Sequence, residues 1–255
     1  MNILVACEES QKVCIQFRLK GHNAFSCDIQ ECSGGHPEWH IHGDVLPLLN
    51  GNCSFETMNG DRHFIEGKWD MIIAFPPCTH LALSGAQHFD KKREDGRQRE
   101  GIEFFCQFFK ADCDRVCIEN PNNVIMGGNY VKQYYPDLCE TYGLPRKQSQ
   151  TIQPWMFGDR AQKTTCLWLK GLPLLIPEIT ESPMTDDDYK IWTNKKGQQK
   201  RVNRTYFDKF LESGHGKYPD IHHRLRSETY DGIARAMAEQ WNSVENYVEK
   251  SNRLF

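Results

Sequence analysis

No apolar run in the sequence approaches the roughly 18 residues a membrane-crossing helix needs. The longest, such as Met71-Ile72-Ile73-Ala74-Phe75, are strand-sized. No basic stretch followed by a long apolar one stands at the start, so no secretory signal is expected. A disulfide framework is also missing. The 11 cysteines are odd in number and scattered from Cys7 to Cys166, whereas disulfide scaffolds are shorter and denser. A reduced, cytoplasmic compartment is the expectation. There is no large charge excess either: 31 Lys and Arg face 34 Asp and Glu, a net charge of −3. That excludes a uniformly basic nucleic-acid coat but leaves room for a local basic face. Internal repeats and low-complexity tracts are absent. Finally, the loop after the first apolar run, Cys7-Glu8-Glu9-Ser10, contains no glycine.

What remains is ordinary globular composition over 255 residues, 39% hydrophobic and 25% charged, enough for one large domain or a domain with an insert. Residues 1–170 alternate apolar runs with amphipathic ones. Strands are expected at Asn2 to Ala6, Ala24 to Asp28, Trp39 to His42, Trp69 to Ala74, Arg115 to Glu119 and Thr164 to Leu169. Helices are expected at Gln11 to Lys20, with Gly21 as C-cap, and at Arg99 to Lys110. Such alternation predicts an α/β fold, a mostly parallel sheet with helices on both faces. In such sheets ligands lie outside the carboxyl ends of the strands. Asp28, Asp44, Pro76-Pro77-Cys78 and Glu119-Asn120-Pro121 all fall at those ends.

Beyond Leu175 the pattern changes. Pro173, Pro177 and Pro183 punctuate a loop, and a basic segment follows. From Tyr189 to Arg226, ten Lys and Arg stand against Asp208, Glu212 and Asp220, giving +7 in a chain of −3 overall. Trp192, Tyr206, Phe207 and Tyr218 interleave with these charges, a composition suited to nucleic-acid contact and equally to a small core. Ser227 to Glu249 reads as a helix with Ile233, Ala236, Met237 and Trp241 on one face. The expected division is a catalytic unit at 1–175, a basic insert at 176–226 and a returning C-terminal helix at 227–255.

Cys78 follows two prolines in a stiff loop at a strand end, a setting in which a thiolate nucleophile can be held. Most cysteines in such positions are small buried hydrophobes. Glu119, at the next strand end, suits proton donation to a substrate ring; Asn-Pro after it is also a common turn. Cys27, Cys32, His36 and His40 carry zinc-type ligands in a non-standard spacing, and no metal site is expected from them.

Taken together, Pro76-Pro77-Cys78 and Glu119-Asn120 resemble the motifs of the cytosine-5 DNA methyltransferase family, most closely its small bacteriophage and prophage members. The resemblance implies a Rossmann-like methyltransferase sheet, S-adenosyl-L-methionine as cofactor, and double-stranded DNA as partner inside a bacterial host cell. The protein is expected to be monomeric. Cys78 is implied as nucleophile and Glu119 as acid. Cofactor contacts are implied at Ala6, Cys7, Glu8, Ser10, Asp28, Ile29, Asp44, Val45, Pro76 and Thr229. Ser10 also suits an N-cap. Substrate contacts are implied at Pro77, Thr79, Asn120, Gln162, Lys163, Lys195, Lys196, Arg201 and Arg204. The sequence departs from the family at the glycine-free first loop, at Thr79 where glutamine is usual, and at Pro121 where valine is usual. A fainter likeness to the amino-methyltransferases is opposed by Cys78, which stands where they have an aromatic residue. A free pyrimidine nucleotide or RNA as substrate, and a non-catalytic DNA-binding relative, remain alternatives.

Overall fold

A computed structural model describes residues 1–193, 197–205 and 227–243. Its centre is a seven-stranded sheet of β1 (Asn2–Ala6), β2 (Asn23–Asp28), β3 (His40–His42), β6 (Met71–Ala74), β7 (Val116–Asn120), β8 (Gln150–Ile152) and β9 (Thr165–Lys170). The order across the sheet is β3-β2-β1-β6-β7-β9-β8. The first five are mutually parallel, and β9 enters antiparallel between β7 and β8. The fold is therefore mixed α/β with a mostly parallel central sheet. Two hairpins lie outside it, β4 (Cys53–Glu56) with β5 (Arg62–Ile65), and β10 (Tyr189–Thr193) with β11 (Gln199–Asn203).

The side-chain alternation of a strand divides the core in two. On one face Ile3, Val5, Met71, Ile73 and Cys117 pack under α1 (Lys12–Leu19) and α6 (Asp231–Gln240). On the other, Leu4, Ile72, Val116 and Ile118 pack under α3 (Arg97–Lys110), through Ile102, Phe105 and Phe108. Both faces are covered, so the parallel strands read as continuous apolar runs rather than alternating ones. Short helices α2 (Phe89–Glu94), α4 (Tyr130–Tyr134) and α5 (Pro136–Tyr142) complete the second layer.

Each expected strand is present within one or two residues, and helix α1 ends where Gly21, at φ +81°, takes the left-handed turn. The expected Arg99 start of α3 moves back to Arg97. The C-terminal helix runs over Asp231–Gln240, shorter than the expected Ser227 to Glu249: residues 228–230 before it and 241–243 after it are not helical, and residues 244–249 lie outside the described residues. Helix α6 sits tightly because Gly232 brings its backbone against Phe157: a Cβ there would lie 2.0 Å from the Phe157 carbonyl oxygen. No helix among the described residues is long and apolar enough to cross a membrane.

Candidate functional site at the carboxyl ends of the strands

The chain runs outward from β1 to β2 and β3, then returns to lay β6 on the other side of β1. A crevice opens at such a reversal, because the loops leaving the two central strands turn in opposite directions. Here its walls are Ala6-Cys7 from β1 and Phe75-Pro76 from β6, joined by the Phe75 amide donating to the Ala6 carbonyl at 2.9 Å.

Cys78 leaves this crevice in a half-buried loop. The amides of Leu81 and Ala82 both donate to its carbonyl, at 3.0 and 2.9 Å, so the chain turns tightly just after it. The loop is fastened to the exit of β7. Asn120 Nδ2 donates to the Pro76 carbonyl at 2.7 Å, and Asn123 Nδ2 donates to Asn120 Oδ1 at 3.0 Å. Leu83 donates to Asn122, and Val124 to Leu81, at 2.9 and 3.1 Å. From beneath, Lys92 Nζ donates to the Thr79 carbonyl at 2.6 Å, and Gln98 Nε2 to the His80 carbonyl at 3.0 Å. The two sequence motifs are thus one structural unit. Asn120 is 1% exposed and both donates and accepts within the protein, so it braces the Cys78 loop from behind.

Glu119 stands on β7 opposite Leu167 of β9. Its carboxyl is walled in by protein although part of the residue faces open space. Burial pushes its pKa up; the Lys163 charge and a hydrogen bond from Thr165 pull against that and do not cancel it. A carboxyl in this setting holds its proton further toward neutrality than an ordinary glutamate. The antiparallel entry of β9 is what delivers Lys163 and Thr165 to the carboxyl end of β7.

At the end of β1 the backbone pays for its missing glycines: Cys7 and Gln11 both sit at φ +59°, a left-handed conformation unusual for residues with a Cβ. Glu8 occupies the start of α1. Its carboxylate accepts from the amides of Val13 at 2.6 Å and Cys14 at 3.2 Å. Glu8 and Ser10 are 4% and 7% exposed, so their side chains are withdrawn from the crevice. The N-cap is Gln11, not Ser10, and Glu8 supplies the capping oxygens. The loop is roofed by residues 33–36: Gln11 Nε2 donates to the His36 carbonyl at 2.9 Å, and a Cβ on Gly34 would meet Ser10 oxygen at 2.6 Å.

The remaining cofactor positions divide by exposure. Ala6, Val45 and Pro76 are buried; Cys7, Asp28 and Thr229 are half-buried; Asp44 is exposed and Ile29 is 77% exposed. Asp28 and Asp44 cluster around Cys7, whose thiol burial and these two charges push well up. The Lys12–Asp231 ion pair at 3.0 Å sets the start of α6, just after Thr229, beside the start of α1. The crevice is acidic.

The β10–β11 hairpin is anchored next to Lys163. Arg160 forms a two-point ion pair with Asp188, at 2.9 and 2.7 Å, and Tyr189 OH donates to Gln162 Oε1 at 2.7 Å. Lys200, Arg201 and Arg204 are exposed, with Ile191 and Trp192 exposed among them. Arg201 pairs with Asp186 at 2.6 Å and lies over the Tyr189 ring. Pro77 and Thr79 are exposed beside Cys78. Lys195 and Lys196 lie outside the described residues, as do Tyr206, Phe207 and Tyr218.

Cys27, Cys32, His36 and His40 do not converge. His36 stacks on Trp39 and meets Glu38, while His40 bonds Ser26 and the Gln30 carbonyl. Among the described residues no group of three or more such side chains is placed to hold a metal. A cavity of about 240 Å³ lined by Phe108, Trp168 and Arg146 lies along Val116 and Ile118, on the other face of β7 from Glu119. Sequence reasoning missed Lys92, Asn123 and Arg160. Lys92 is one of three adjacent cations, Lys91-Lys92-Arg93, and nothing in residue type marks the one that turns inward.

Comparison of the chain with protein-family models and with curated proteins gives no match.

Proposed function

We propose that the protein is an S-adenosylmethionine-dependent methyltransferase that adds a methyl group to carbon 5 of cytosine in double-stranded DNA. The observation that carries this reading is the fastening of the Cys78 loop to the exit of β7, where Glu119 sits with a raised pKa. The strand order supports a Rossmann-like methyltransferase sheet: the parallel half follows the doubly wound pattern, and one late antiparallel strand brings Lys163 and Thr165 to the acid. The acidic crevice supports a sulfonium cofactor over a dinucleotide. Cys7, Asp28, Ile29, Asp44 and Thr229 are the residues that would hold it.

The chemistry then follows from the side chains. Cytosine carbon 5 is a poor nucleophile. The Cys78 thiolate forms a bond to carbon 6, the ring's electron pair shifts toward carbon 5, and Glu119 delivers its proton to nitrogen 3, keeping the ring neutral. S-adenosylmethionine, when bound, supplies the electrophilic methyl group that carbon 5 takes up. A base, in this scheme water, removes the carbon 5 proton; the 5,6 double bond re-forms, the carbon–sulfur bond breaks and the thiolate leaves. Nitrogen 3 returns its proton to Glu119. None of these atoms is reachable in a duplex, so the base must flip out, at a cost of a few kcal/mol. The basic hairpin beside Lys163 supplies phosphate contacts for that state.

The test is incubation with duplex DNA containing 5-fluorocytosine and labelled S-adenosylmethionine, beside Cys78→Ala. Fluorine at carbon 5 blocks the final elimination, so a labelled protein–DNA adduct, lost in the variant, is expected. Cofactor binding without an adduct on DNA would overturn the DNA reading and direct the same chemistry to nucleotide or RNA. Failure to bind cofactor would leave a DNA-binding relative, the outcome favoured by Glu8 filling the start of α1.

A further inference from the structure

We propose that Lys92 is a positioning residue for Cys78: its buried ammonium clamps the loop at the Thr79 carbonyl and supplies the positive charge that favours the Cys78 thiolate. The proposal rests on the nucleophile reading of Cys78, and adds the group that activates it.

Three observations support it. Lys92 is 8% exposed, although lysine is almost never buried without a partner. Its Nζ donates to the carbonyl of the residue directly after Cys78, at 2.6 Å. It is also closed over by the same loop, since a Cβ on Gly85 would lie 3.6 Å from Nζ. A neutral carbonyl satisfies one of three N–H donors and none of the charge. The groups facing this corner are His80 on the loop itself, Asp95 between α2 and α3, and Arg97 and Glu100 on α3. Burial and Arg97 both disfavour the charged form of Lys92, and Cys78 is the first group that favours it. That attraction is mutual: a thiolate that stabilises the ammonium is stabilised by it. His80 does not serve instead, because burial, Lys92 and Arg97 all lower its pKa and leave it neutral near pH 7.

The experiment follows alkylation of Cys78 by iodoacetamide from pH 6 to 10, read by peptide mass spectrometry, without DNA or cofactor. In the unmodified protein the midpoint is expected below the ordinary cysteine value of about 8.5. In Lys92→Met it is expected to rise by about one unit, slowing alkylation near pH 7 about tenfold, with Lys92→Arg restoring most of the loss. An unshifted midpoint in folded Lys92→Met overturns the proposal. Should Lys92→Met not fold, a midpoint at or above about 8.5 in the unmodified protein overturns it equally. Failure is distinguishable from failure of the cytosine reading. An adduct with 5-fluorocytosine DNA and an unshifted midpoint removes Lys92 alone; a shifted midpoint without adduct keeps the activated thiol and removes the substrate.

Discussion

Asn120 Nδ2 and the Pro76 carbonyl lie 2.7 Å apart in the interior, joining the exit of β7 to the loop that carries Cys78. The same side chain accepts from Asn123 at 3.0 Å, so one amide orients two loops. Asn120→Ala strands a buried carbonyl and a buried donor, each worth about 1–3 kcal/mol. The urea midpoint is expected to fall accordingly. Asn120→Asp is expected to be worse, because a carboxylate oxygen would face the Pro76 carbonyl. Unchanged stability in Asn120→Ala would show that the bond braces nothing.

Glu119 must carry a proton to act as the acid. Glu119→Gln keeps the shape and removes the transferable proton, so methyl transfer is expected to fall at least about 100-fold. Alkylation of Cys78 by iodoacetamide is expected to stay within about twofold, since it needs only the thiolate and no proton from Glu119. Because its pKa is raised, the protonated fraction is largest at low pH and is lost as pH rises through that value. The high-pH limb of the parent protein's pH–rate profile, where methyl transfer falls as Glu119 loses its proton, is therefore expected above the ordinary carboxyl range. A rate in Glu119→Gln equal to that of the parent protein would remove this residue from the mechanism.

The central sheet was legible because buried parallel strands are written as unbroken apolar runs, such as Ile3-Leu4-Val5-Ala6 and Met71-Ile72-Ile73-Ala74. The motif residues were legible because prolines and an Asn-Pro pair mark strand ends. Short pieces were not. β8 has three residues, Gln150–Ile152, too few to show a period. The β4–β5 hairpin carries one signal, the Asn59-Gly60 pair at its turn, but its four-residue strands are too short to show a period around it. The roles of Glu8, Asn120 and Lys92 were hidden for another reason. Each is a polar residue whose direction is set by tertiary packing, and sequence type alone places all three at the surface or in the ligand crevice.

Glu8 makes stability depend on pH in an unusual direction. Burial outweighs the two amide hydrogen bonds and lifts its pKa from 4.5 to about 7. Between those values the folded state holds a proton that the unfolded state has released, so stability falls as pH rises. The contribution is full below about 4.5 and lost by about 7, on the order of 3 kcal/mol in all. Glu8→Gln cannot ionise. Urea unfolding at pH 5, 6, 7 and 8 is expected to show a downward slope from 5 to 7 in the parent protein and a flatter one in the variant. Parallel profiles would place the Glu8 titration elsewhere.

Under the proposed function, contact of the hairpin with DNA is separable from the chemistry at Cys78. Lys200 on β11 and Arg204 just after it are exposed and far from Cys78 in sequence; the hairpin is tied to residues 160–162 through the Arg160–Asp188 pair, the Tyr189–Gln162 bond and the Thr205 hydroxyl, which donates to the Arg160 carbonyl. Each cation that meets a phosphate releases counterions and adds about 0.9 to the slope of log affinity against log salt. Lys200→Gln with Arg204→Gln is thus expected to reduce that slope by about 2, measured by anisotropy on a labelled duplex between 50 and 200 mM salt. Arg160→Lys keeps the charge but loses the two-point geometry that holds the hairpin against Asp188. It is expected to weaken binding by a smaller factor and leave the slope unchanged, because the hairpin's own phosphate contacts remain and only their placement is loosened. A double variant with the parent slope would mean that DNA reaches Cys78 by another face of the molecule.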